Sequence, residues 1–329
     1  MTDLVRYHEL GGPEVLKVER GTPGAPGAGE VLIEIEAIGL NRAEAAQRAG
    51  TYIVRPPLPA RLGNEAAGTV LAVGPDVSEW KAGDTVSTLP PMQPGDYGTY
   101  ASQTLWPSKS LLRRPADLSA VQAATSWFAF LTAYGGLCEA GKLAPGQHVV
   151  ISAASSSVGL AAIQIARAIG AIPIASTRQN SKRRAVAAAG AAHVIVSDEQ
   201  DVPEEVRRIT NGVGAPLIFD PVAGKFAEDM MRCLAHEGTL IIYGGLSNET
   251  ATFPRHLAIG GNLTMRGYNF FPLAADPKRR AAAEAVILNG LREGQFAMPI
   301  AANFRLDEIA DAHRALEAND HVGKIVVTV

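Results

Sequence analysis

The sequence of 329 residues predicts an α/β protein with about two domains, a β-rich first part and a doubly wound parallel sheet. Short strand-like stretches broken by Gly and Pro fill the chain up to about residue 120. A regular alternation of strands and helices follows them. A chain of this length also exceeds what one small hydrophobic core supports, so we expect two domains.

The first part carries short predicted strands and a long turn region. The strands span residues 31–38, 67–73 and 85–88, and a Gly/Pro-rich loop spans 21–29. Further strands are predicted in the second part, at residues 148–153, 172–176, 193–196, 216–220, 238–243 and 262–268. Most of these are near-continuous runs of Val, Ile and Leu, as in strands buried on both faces, which predicts a six-stranded parallel sheet.

The end of the chain is predicted to return to the first part. An Ala-rich helix is expected at 277–293, a strand at 299–304, a helix at 306–318 and a final strand at 324–329. We expect this final strand to join the β-rich first part.

A turn of small residues after the strand at 148–153 predicts a dinucleotide site. In the Gly-x-Gly-x-x-Gly pattern of such turns the chain has Ala154, Ser156 and Gly159, so two of the glycines are absent. The helix that follows has apolar residues at 158, 162, 165 and 169, and its N-terminus suits a pyrophosphate. The predicted cofactor contacts here are Ser155, Ser156, Ser157, Val158 and Gly159. The serine hydroxyls can donate to the pyrophosphate or hold a bridging water.

The residues after the next strand favour NADP(H) over NAD(H). Where an NAD site carries an acidic residue for the ribose 2′-hydroxyl, this chain offers hydroxyls and cations. The predicted contacts are Ser176, Thr177, Arg178 and Lys182. Arg178 or Lys182 would attract a 2′-phosphate, whereas an aspartate would repel it. The alternative is that Lys182 only belongs to the exposed face of a helix, as we expect for Arg183 and Arg184.

Charge and composition exclude several classes of protein. The formal net charge is -3, which indicates neither a nucleic-acid partner nor a polybasic membrane contact. No apolar run reaches about 18 residues, and the first residues lack the core of a signal peptide, so a cytoplasmic protein is expected. Cys138 and Cys233 suggest neither a disulfide framework nor a four-cysteine zinc site.

Several motifs, in order along the chain, carry a resemblance to a known family. They are the segments 29–41, 48–52, 63–70, 83–86, 131–134, 154–170 and 323–326. With them the chain resembles the medium-chain dehydrogenase/reductase superfamily, and within it the zinc-independent quinone oxidoreductase branch that includes zeta-crystallin. The resemblance implies a GroES-like catalytic domain made from both ends of the chain, residues 1–120 and 275–329. It also implies a Rossmann domain that binds NADP(H), residues 121–274.

The residues at the metal positions of zinc-dependent relatives predict that this chain works without zinc. Those relatives have a His in a Gly-His-Glu motif, where this chain has Asn64 between Gly63 and Glu65. They also have a Cys near the position of Asn41, and residues 38–44 contain none. No tetrahedral zinc site is therefore expected. Glu65 is expected to be a buried structural carboxylate.

Asn41 and Tyr52 are the predicted catalytic and substrate-binding residues, because the resemblance places them at the nicotinamide end of the site. Without a metal, hydrogen-bond donors must stabilise the oxyanion that forms as hydride arrives. The Asn41 amide or the Tyr52 phenol can hold a carbonyl oxygen, and Tyr52 can relay a proton. The alternatives are that Asn41 is a turn residue and that Tyr52 packs against the loop at Pro56 and Pro57.

The resemblance implies further site residues. Thr132 is expected beside the nicotinamide ring. Trp127 or Phe128 is expected to face the substrate, unless both belong to the core. Cofactor contacts are also implied for Tyr243, Gly244, Asn319 and Lys324.

The predicted function is the reduction by NADPH of a quinone or another conjugated carbonyl, such as an α,β-unsaturated ketone. One alternative is an enoyl-thioester reductase, and another is a non-catalytic NADPH-binding protein, as some crystallins are. The resemblance further implies a homodimer that associates through the edge strand from Asn262 to Tyr268. Leu263, Met265 and Tyr268 would then pair across the two-fold axis.

Overall fold

The computed structural model describes residues 1–91 and 97–329. Their contacts divide the chain into two compact units, Met1–Phe128 with Met298–Val329, and Ala129–Ala297. Within the described residues no helix is long and apolar enough to cross a membrane.

The strands that the sequence predicts are present in the predicted order, together with others that it does not predict. The chain begins with β1 (Thr2–Tyr7), β2 (Lys17–Gly21), β3 (Glu30–Gly39), α1 (Arg42–Ala49), β4 (Ala60–Arg61), β5 (Ala66–Val73), β6 (Thr85–Thr88), β7 (Gln103–Pro107), β8 (Leu111–Arg113) and α2 (Ala120–Tyr134). It continues with β9 (His148–Ile151), α3 (Ser157–Ile169), β10 (Ile172–Thr177), α4 (Arg183–Ala188), β11 (His193–Val196), α5 (Val202–Ile209), β12 (Ala215–Asp220), α6 (Phe226–Arg232), β13 (Leu234–Ile242), α7 (Arg255–Gly261), β14 (Thr264–Gly267), α8 (Phe271–Ala275) and α9 (Pro277–Arg292). It ends with β15 (Ile300–Arg305), α10 (Ile309–Ala318) and β16 (Lys324–Thr328).

The largest sheet of the first unit joins both ends of the chain. Its order is β15-β16-β3-β5-β6-β8, and β7 also pairs with β3. In β3, Val31 and Ile33 are buried while Glu34 is exposed, as in a strand with one face on the core. β16 runs antiparallel to β3, with Val326 opposite Gly39. The prediction that the final strand joins the β-rich first part is confirmed.

The second unit contains a six-stranded parallel sheet. Its order is β11-β10-β9-β12-β13-β14. Val149, Val150 and Ile151 of the central strand β9 are fully buried, as expected for a strand covered on both faces. The strand order changes direction between β9 and β12, and folds of this kind bind ligands at the carboxyl ends of the strands there. The predicted α/β class with a doubly wound sheet is confirmed.

Residues 275–297 pack within the second unit. The domain ranges implied by the resemblance instead place them in the GroES-like domain, with the end of the chain. Phe296 stacks on Phe130 with 5.0 Å between the ring centroids. The Gln164 side chain donates to the Ala297 carbonyl at 3.0 Å and accepts the Ala297 N–H at 2.6 Å. These contacts explain why the second unit extends to Ala297.

Candidate active site

A buried polar cluster lies where β3 ends and α1 begins. Asn41 is the N-cap residue of α1. Its backbone N–H donates to Glu44 Oε2 at 2.5 Å. A glutamate at the third helical position commonly accepts this hydrogen bond, which explains why the helix starts here. Glu44 itself is fully buried.

Lys324 and Glu65 form a buried ion pair in the same cluster. The pairing of β16 with β3 brings the start of β16 beside residue 41. The Lys324 Nζ atom donates to Glu65 Oε2 at 2.7 Å and to Asn41 Oδ1 at 2.6 Å. Both charged side chains are only 1% exposed. The other oxygen of Glu65 accepts the backbone N–H of Phe128 at 2.9 Å. Glu65 is thus buried, with a cation as its partner.

The Asn41 amide is engaged on both sides. Its oxygen accepts from Lys324, so its nitrogen faces the acceptors. These are Gly39 O at 3.2 Å and Glu44 Oε1 and Glu65 Oε2 at 3.4 Å each. A contact between this amide and a substrate carbonyl stays a prediction. In the structure the amide holds the cluster together.

Glu44 ties a second segment to the cluster, and no sequence motif singled it out. Its Oε1 atom accepts the backbone N–H of Asn64 at 3.2 Å and the Asn64 side-chain amide at 3.1 Å. Burial raises the pKa of Glu44 to about 7, while the charge of Lys324 and the hydrogen bonds from Asn41 and Asn64 lower it. Its place three residues after Asn41, where a capping glutamate is common, is the signal that could have found it.

Tyr52 lies just beyond α1. The helix ends at Gly50, which has a left-handed conformation with φ 76°. Burial raises the pKa of Tyr52 to about 12, and the negative charge of Glu44 contributes to the rise. The phenol is therefore protonated at neutral pH and can donate a hydrogen bond.

The two aromatic residues predicted to face the substrate differ in exposure. Trp127 is 1% exposed, which fits the alternative that it belongs to the core. Phe128 is half-buried, and the Lys324 Nζ atom lies 5.9 Å from its ring centroid. A contact of either ring with the substrate stays a prediction.

The predicted cofactor turn of the second unit combines a helix N-terminus with a close backbone approach. Ser156 is the N-cap residue of α3, and its hydroxyl accepts the Gly159 N–H at 3.1 Å. A Cβ atom at Gly159 would lie 2.7 Å from the Ala154 Cα atom, so only glycine fits without displacing backbone. The Ala154 N–H donates to the Ser176 carbonyl at 2.9 Å, which ties the turn to the end of β10. The side chains at the turn and at the start of the helix are half-buried, namely Ser155, Ser156, Ser157 and Val158.

Arg178 is the more accessible cation of the pair predicted to meet a 2′-phosphate. It follows β10 and is exposed, whereas Ser176 and Thr177 before it are buried. Lys182 is only 7% exposed. The geometry therefore favours Arg178 over Lys182 for an incoming anion.

The remaining predicted cofactor residues are divided between the units. In the second unit, Tyr243 follows β13, Gly244 after it is exposed, and Thr132 is buried within α2. In the first unit, Asn319 caps the end of α10 in a left-handed conformation, and Lys324 belongs to the buried cluster. Their contacts with a cofactor stay predictions.

An asparagine stands where zinc-dependent relatives have their zinc-binding His, and its side chain forms a hydrogen bond. This residue is Asn64, and its amide donates to Glu44 at 3.1 Å. Among residues 1–91 and 97–329, no three His, Cys, Asp or Glu side chains are grouped as metal ligands.

Comparisons with known proteins identify the class. Residues 27–116 match the model of the alcohol dehydrogenase GroES-like domain, and residues 157–285 match that of the zinc-binding dehydrogenase domain. A quinone oxidoreductase of Pseudomonas aeruginosa is 30% identical, with 99% of each chain covered. A 2-haloacrylate reductase of a Burkholderia species is 29% identical, with 97% of each chain covered. The crystal structure of Escherichia coli quinone oxidoreductase complexed with NADPH covers 100% of both chains, with a TM-score of 0.94 and 29% identity.

The two matched domains and the parallel sheet define a medium-chain dehydrogenase/reductase. The similarity to quinone oxidoreductases extends over the whole chain. The chain therefore belongs to the quinone oxidoreductase branch of this superfamily and is an oxidoreductase that acts on a small molecule. The resemblance carried by the sequence motifs is confirmed.

Proposed function

We propose that this chain is an NADPH-dependent oxidoreductase that transfers hydride to a quinone or another conjugated carbonyl, such as an α,β-unsaturated ketone, without zinc. The observation that carries the proposal is the buried cluster of Asn41, Glu44, Glu65 and Lys324, whose polar groups pair with one another. Because these groups bond one another, they are not arranged around a metal ion. A hydrogen-bond donor of the protein would therefore polarise the substrate carbonyl. The quinones and haloacrylates in the names of the relatives are both conjugated carbonyl compounds.

The second unit fits NADP(H). The backbone at Gly159 leaves no room for a side chain, and the N-terminus of α3 begins at the same turn. The exposed Arg178 at the end of β10 suits a 2′-phosphate. The similar Escherichia coli enzyme was solved with NADPH. Bound NADPH supplies the hydride, and the residues of the chain bind and orient it.

Tyr52 is the proposed hydrogen-bond donor to the substrate. The nitrogen of the Asn41 amide already faces the acceptors Gly39, Glu44 and Glu65. The phenol of Tyr52 is protonated at neutral pH, as an ordinary phenol is, and burial raises its pKa further, to about 12. A protonated phenol can stabilise the oxyanion by donating a hydrogen bond to it.

The cofactor assignment is tested by the oxidation of NADPH and NADH in Arg178→Ala. The variant should raise the KM for NADPH by about 10–100-fold and leave that for NADH unchanged, because a charged hydrogen bond to the phosphate is lost. Arg183→Ala, an exposed arginine of α4, is the matched control and should change neither. An unchanged NADPH/NADH preference in both Arg178→Ala and Lys182→Ala would show that the 2′-phosphate lies elsewhere.

The substrate class is tested by NADPH oxidation with quinones, enones and enoyl thioesters. We expect turnover of quinones or enones that survives treatment with a metal chelator. Turnover confined to enoyl thioesters would favour an enoyl-thioester reductase. Binding of NADPH without any turnover would favour the non-catalytic alternative, and loss of activity on chelation would contradict the zinc-free mechanism.

The role of Tyr52 is tested by Tyr52→Phe. Losing the donor should lower kcat about a hundredfold, with little change in the KM for NADPH. Tyr97→Phe is the control, since it removes a hydroxyl that donates to Glu30 in the same unit. Equal kcat values for Tyr52→Phe and the wild type would remove Tyr52 from the mechanism.

A homodimer through β14 is a further part of the proposal. β14 is an edge strand, and its outer backbone groups can pair with a second copy. Leu263 and Met265 pack against the core of their own unit, so the exposed Thr264 and Arg266 are the side chains available for contact. Light scattering of the purified protein should give the mass of a dimer. The cytoplasmic location stays a prediction.

A further inference from the structure

Glu44 connects two segments of the first unit. Its Oε2 atom accepts the backbone N–H of Asn41 at 2.5 Å, and its Oε1 atom accepts the backbone N–H of Asn64 at 3.2 Å. Asn41 follows β3 and Asn64 precedes β5, and these strands pair at that end, with Ile38 opposite Ala66. A backbone N–H can only donate. Both oxygens of Glu44 are therefore needed as acceptors, which the ionised carboxylate supplies.

Burial opposes that ionised form, although the charge of Lys324 favours it. Glu44 and Glu65 are both fully buried and share the Asn41 amide, and Lys324 is bonded to Glu65. With both carboxylates ionised, these three side chains carry one net negative charge away from solvent. Loss of hydration on burial raises the pKa of Glu44 to about 7. The titratable groups that face it are Lys324 from β16, Glu65 before β5, Tyr52 after α1, and Tyr100.

We propose that Glu44 is a positioning residue of the reductase: its charged carboxylate fixes the Asn41 and Asn64 segments, and proton uptake there loosens them and slows turnover. The inference rests on the proposed function, since it concerns the rate of that reaction. A protonated carboxyl turns one acceptor oxygen into an O–H group, which weakens the contact to Asn41 or to Asn64. Asn41 caps the start of α1, and the proposed donor Tyr52 follows the end of that helix. A displacement of about 1 Å at a reacting site costs about a hundredfold in rate.

The pH dependence of kcat tests this role. In the wild type, kcat should rise about tenfold between about pH 6 and pH 8 as Glu44 ionises. In Glu44→Gln it should be independent of pH over this range and about 10–100-fold lower than in the wild type at about pH 8. The KM for NADPH should stay within about twofold, because the principal proposed cofactor contacts lie in the second unit.

Glu284→Gln is the matched control. Glu284 is a half-buried glutamate of α9, and burial raises its pKa as well. The control should keep the rise of kcat with pH. A residue with a purely structural role would lower the amount of folded enzyme without changing the shape of the pH profile. A rise that persists in Glu44→Gln with the wild-type kcat overturns the inference.

Asn64→Ala keeps the inference testable if Glu44→Gln does not fold. The variant removes the amide that donates to Glu44 at 3.1 Å. The ionised carboxylate loses a donor, so the rise of kcat should move to higher pH. A pH profile identical to that of the wild type contradicts the role of Glu44.

Infrared difference spectra of the cofactor-free protein separate this inference from the proposed function. The C=O band of a protonated carboxyl should disappear as the pH rises through about 7, and Glu44→Gln should lack this change. If the band titrates in a protein that reduces no compound of the panel, the proposed function fails and the charge change at Glu44 stands. If no band titrates in this range, the inference on Glu44 fails.

Discussion

Breaking the buried ion pair between Lys324 and Glu65 should destabilise the first unit strongly. Replacing Lys324 by Met keeps much of the side-chain volume and removes the ammonium that lies 2.7 Å from Glu65. Glu65 then stays buried, with the Phe128 N–H at 2.9 Å as its closest donor. An uncompensated buried carboxylate of this kind costs about 3–5 kcal/mol of the free energy of unfolding.

A second replacement separates the effect of charge from that of packing. In Lys324→Met/Glu65→Gln the buried charge of Glu65 is absent, so we expect about 2–3 kcal/mol to return relative to Lys324→Met. The control is Lys225→Met, because Lys225 lies 3.7 Å from Glu249 in an exposed pair with the lysine side chain 88% exposed. Loss of an exposed pair should cost less than about 1 kcal/mol.

Urea unfolding of the cofactor-free protein, followed by tryptophan fluorescence, measures these free energies. All three tryptophans, Trp80, Trp106 and Trp127, belong to the first unit, so the signal reports on the unit that contains the ion pair. A Lys324→Met variant as stable as Lys225→Met would contradict the strong effect expected of the buried ion pair. A double variant that loses the sum of the losses of Lys324→Met and Glu65→Gln, each measured alone, would contradict the coupling of the two side chains as well.

Further predictions concern the cofactor turn and two buried titratable groups. Gly159→Ala should lower the free energy of unfolding by about 1–3 kcal/mol and weaken NADPH binding, since its Cβ atom would lie 2.7 Å from the Ala154 Cα atom. Calorimetry measures both effects. The control is Gly260→Ala, because nothing lies within 4 Å of a Cβ atom there. Burial lowers the pKa of His313 to about 3, so its contribution to stability, up to about 5 kcal/mol, is lost as the pH falls from about 6.5 to 3. Urea midpoints of His313→Gln should therefore fall less in acid than those of the wild type, and equal slopes would contradict this. The pKa of Glu44 is raised to about 7, so stability should fall by about 3 kcal/mol as the pH rises from about 4.5 to 7, and Glu44→Gln should lack this fall in the same assay.

Most of the strands could be predicted from local patterns. The strands at 85–88 and 193–196 have the predicted bounds, since polar or turn-forming residues flank them, such as Asp84 before the first and Asp198 after the second. β13 begins at Leu234, whereas the predicted strand begins at residue 238. The predicted start is too late because His236 and Glu237 interrupt the apolar run. The membership of residues 275–297 in the second unit depends on contacts such as Phe296 with Phe130, which no local pattern reveals.

The candidate site was only partly predictable. Asn41, Tyr52 and Gly159 stand in motifs, so the sequence identified them as candidates. The contact of Asn41 with Lys324 could not be predicted from local sequence, because Lys324 lies 283 positions away along the chain. The sequence does not distinguish Glu44 from other glutamates near the start of a helix, which are common. Its raised pKa comes from burial, which only the structure reveals.

The sequence by itself determined the α/β class, the doubly wound sheet and the small-residue turn at Ala154–Gly159. Periodicity, β-branched runs and turn residues act between neighbours along the chain, so they can be seen without a structure. Only the tertiary structure decided that Lys324 bonds Glu65 and that Glu44 joins Asn41 to Asn64. The free energy of a charge depends on its burial and on partners from distant segments, and these exist only once the whole unit has folded.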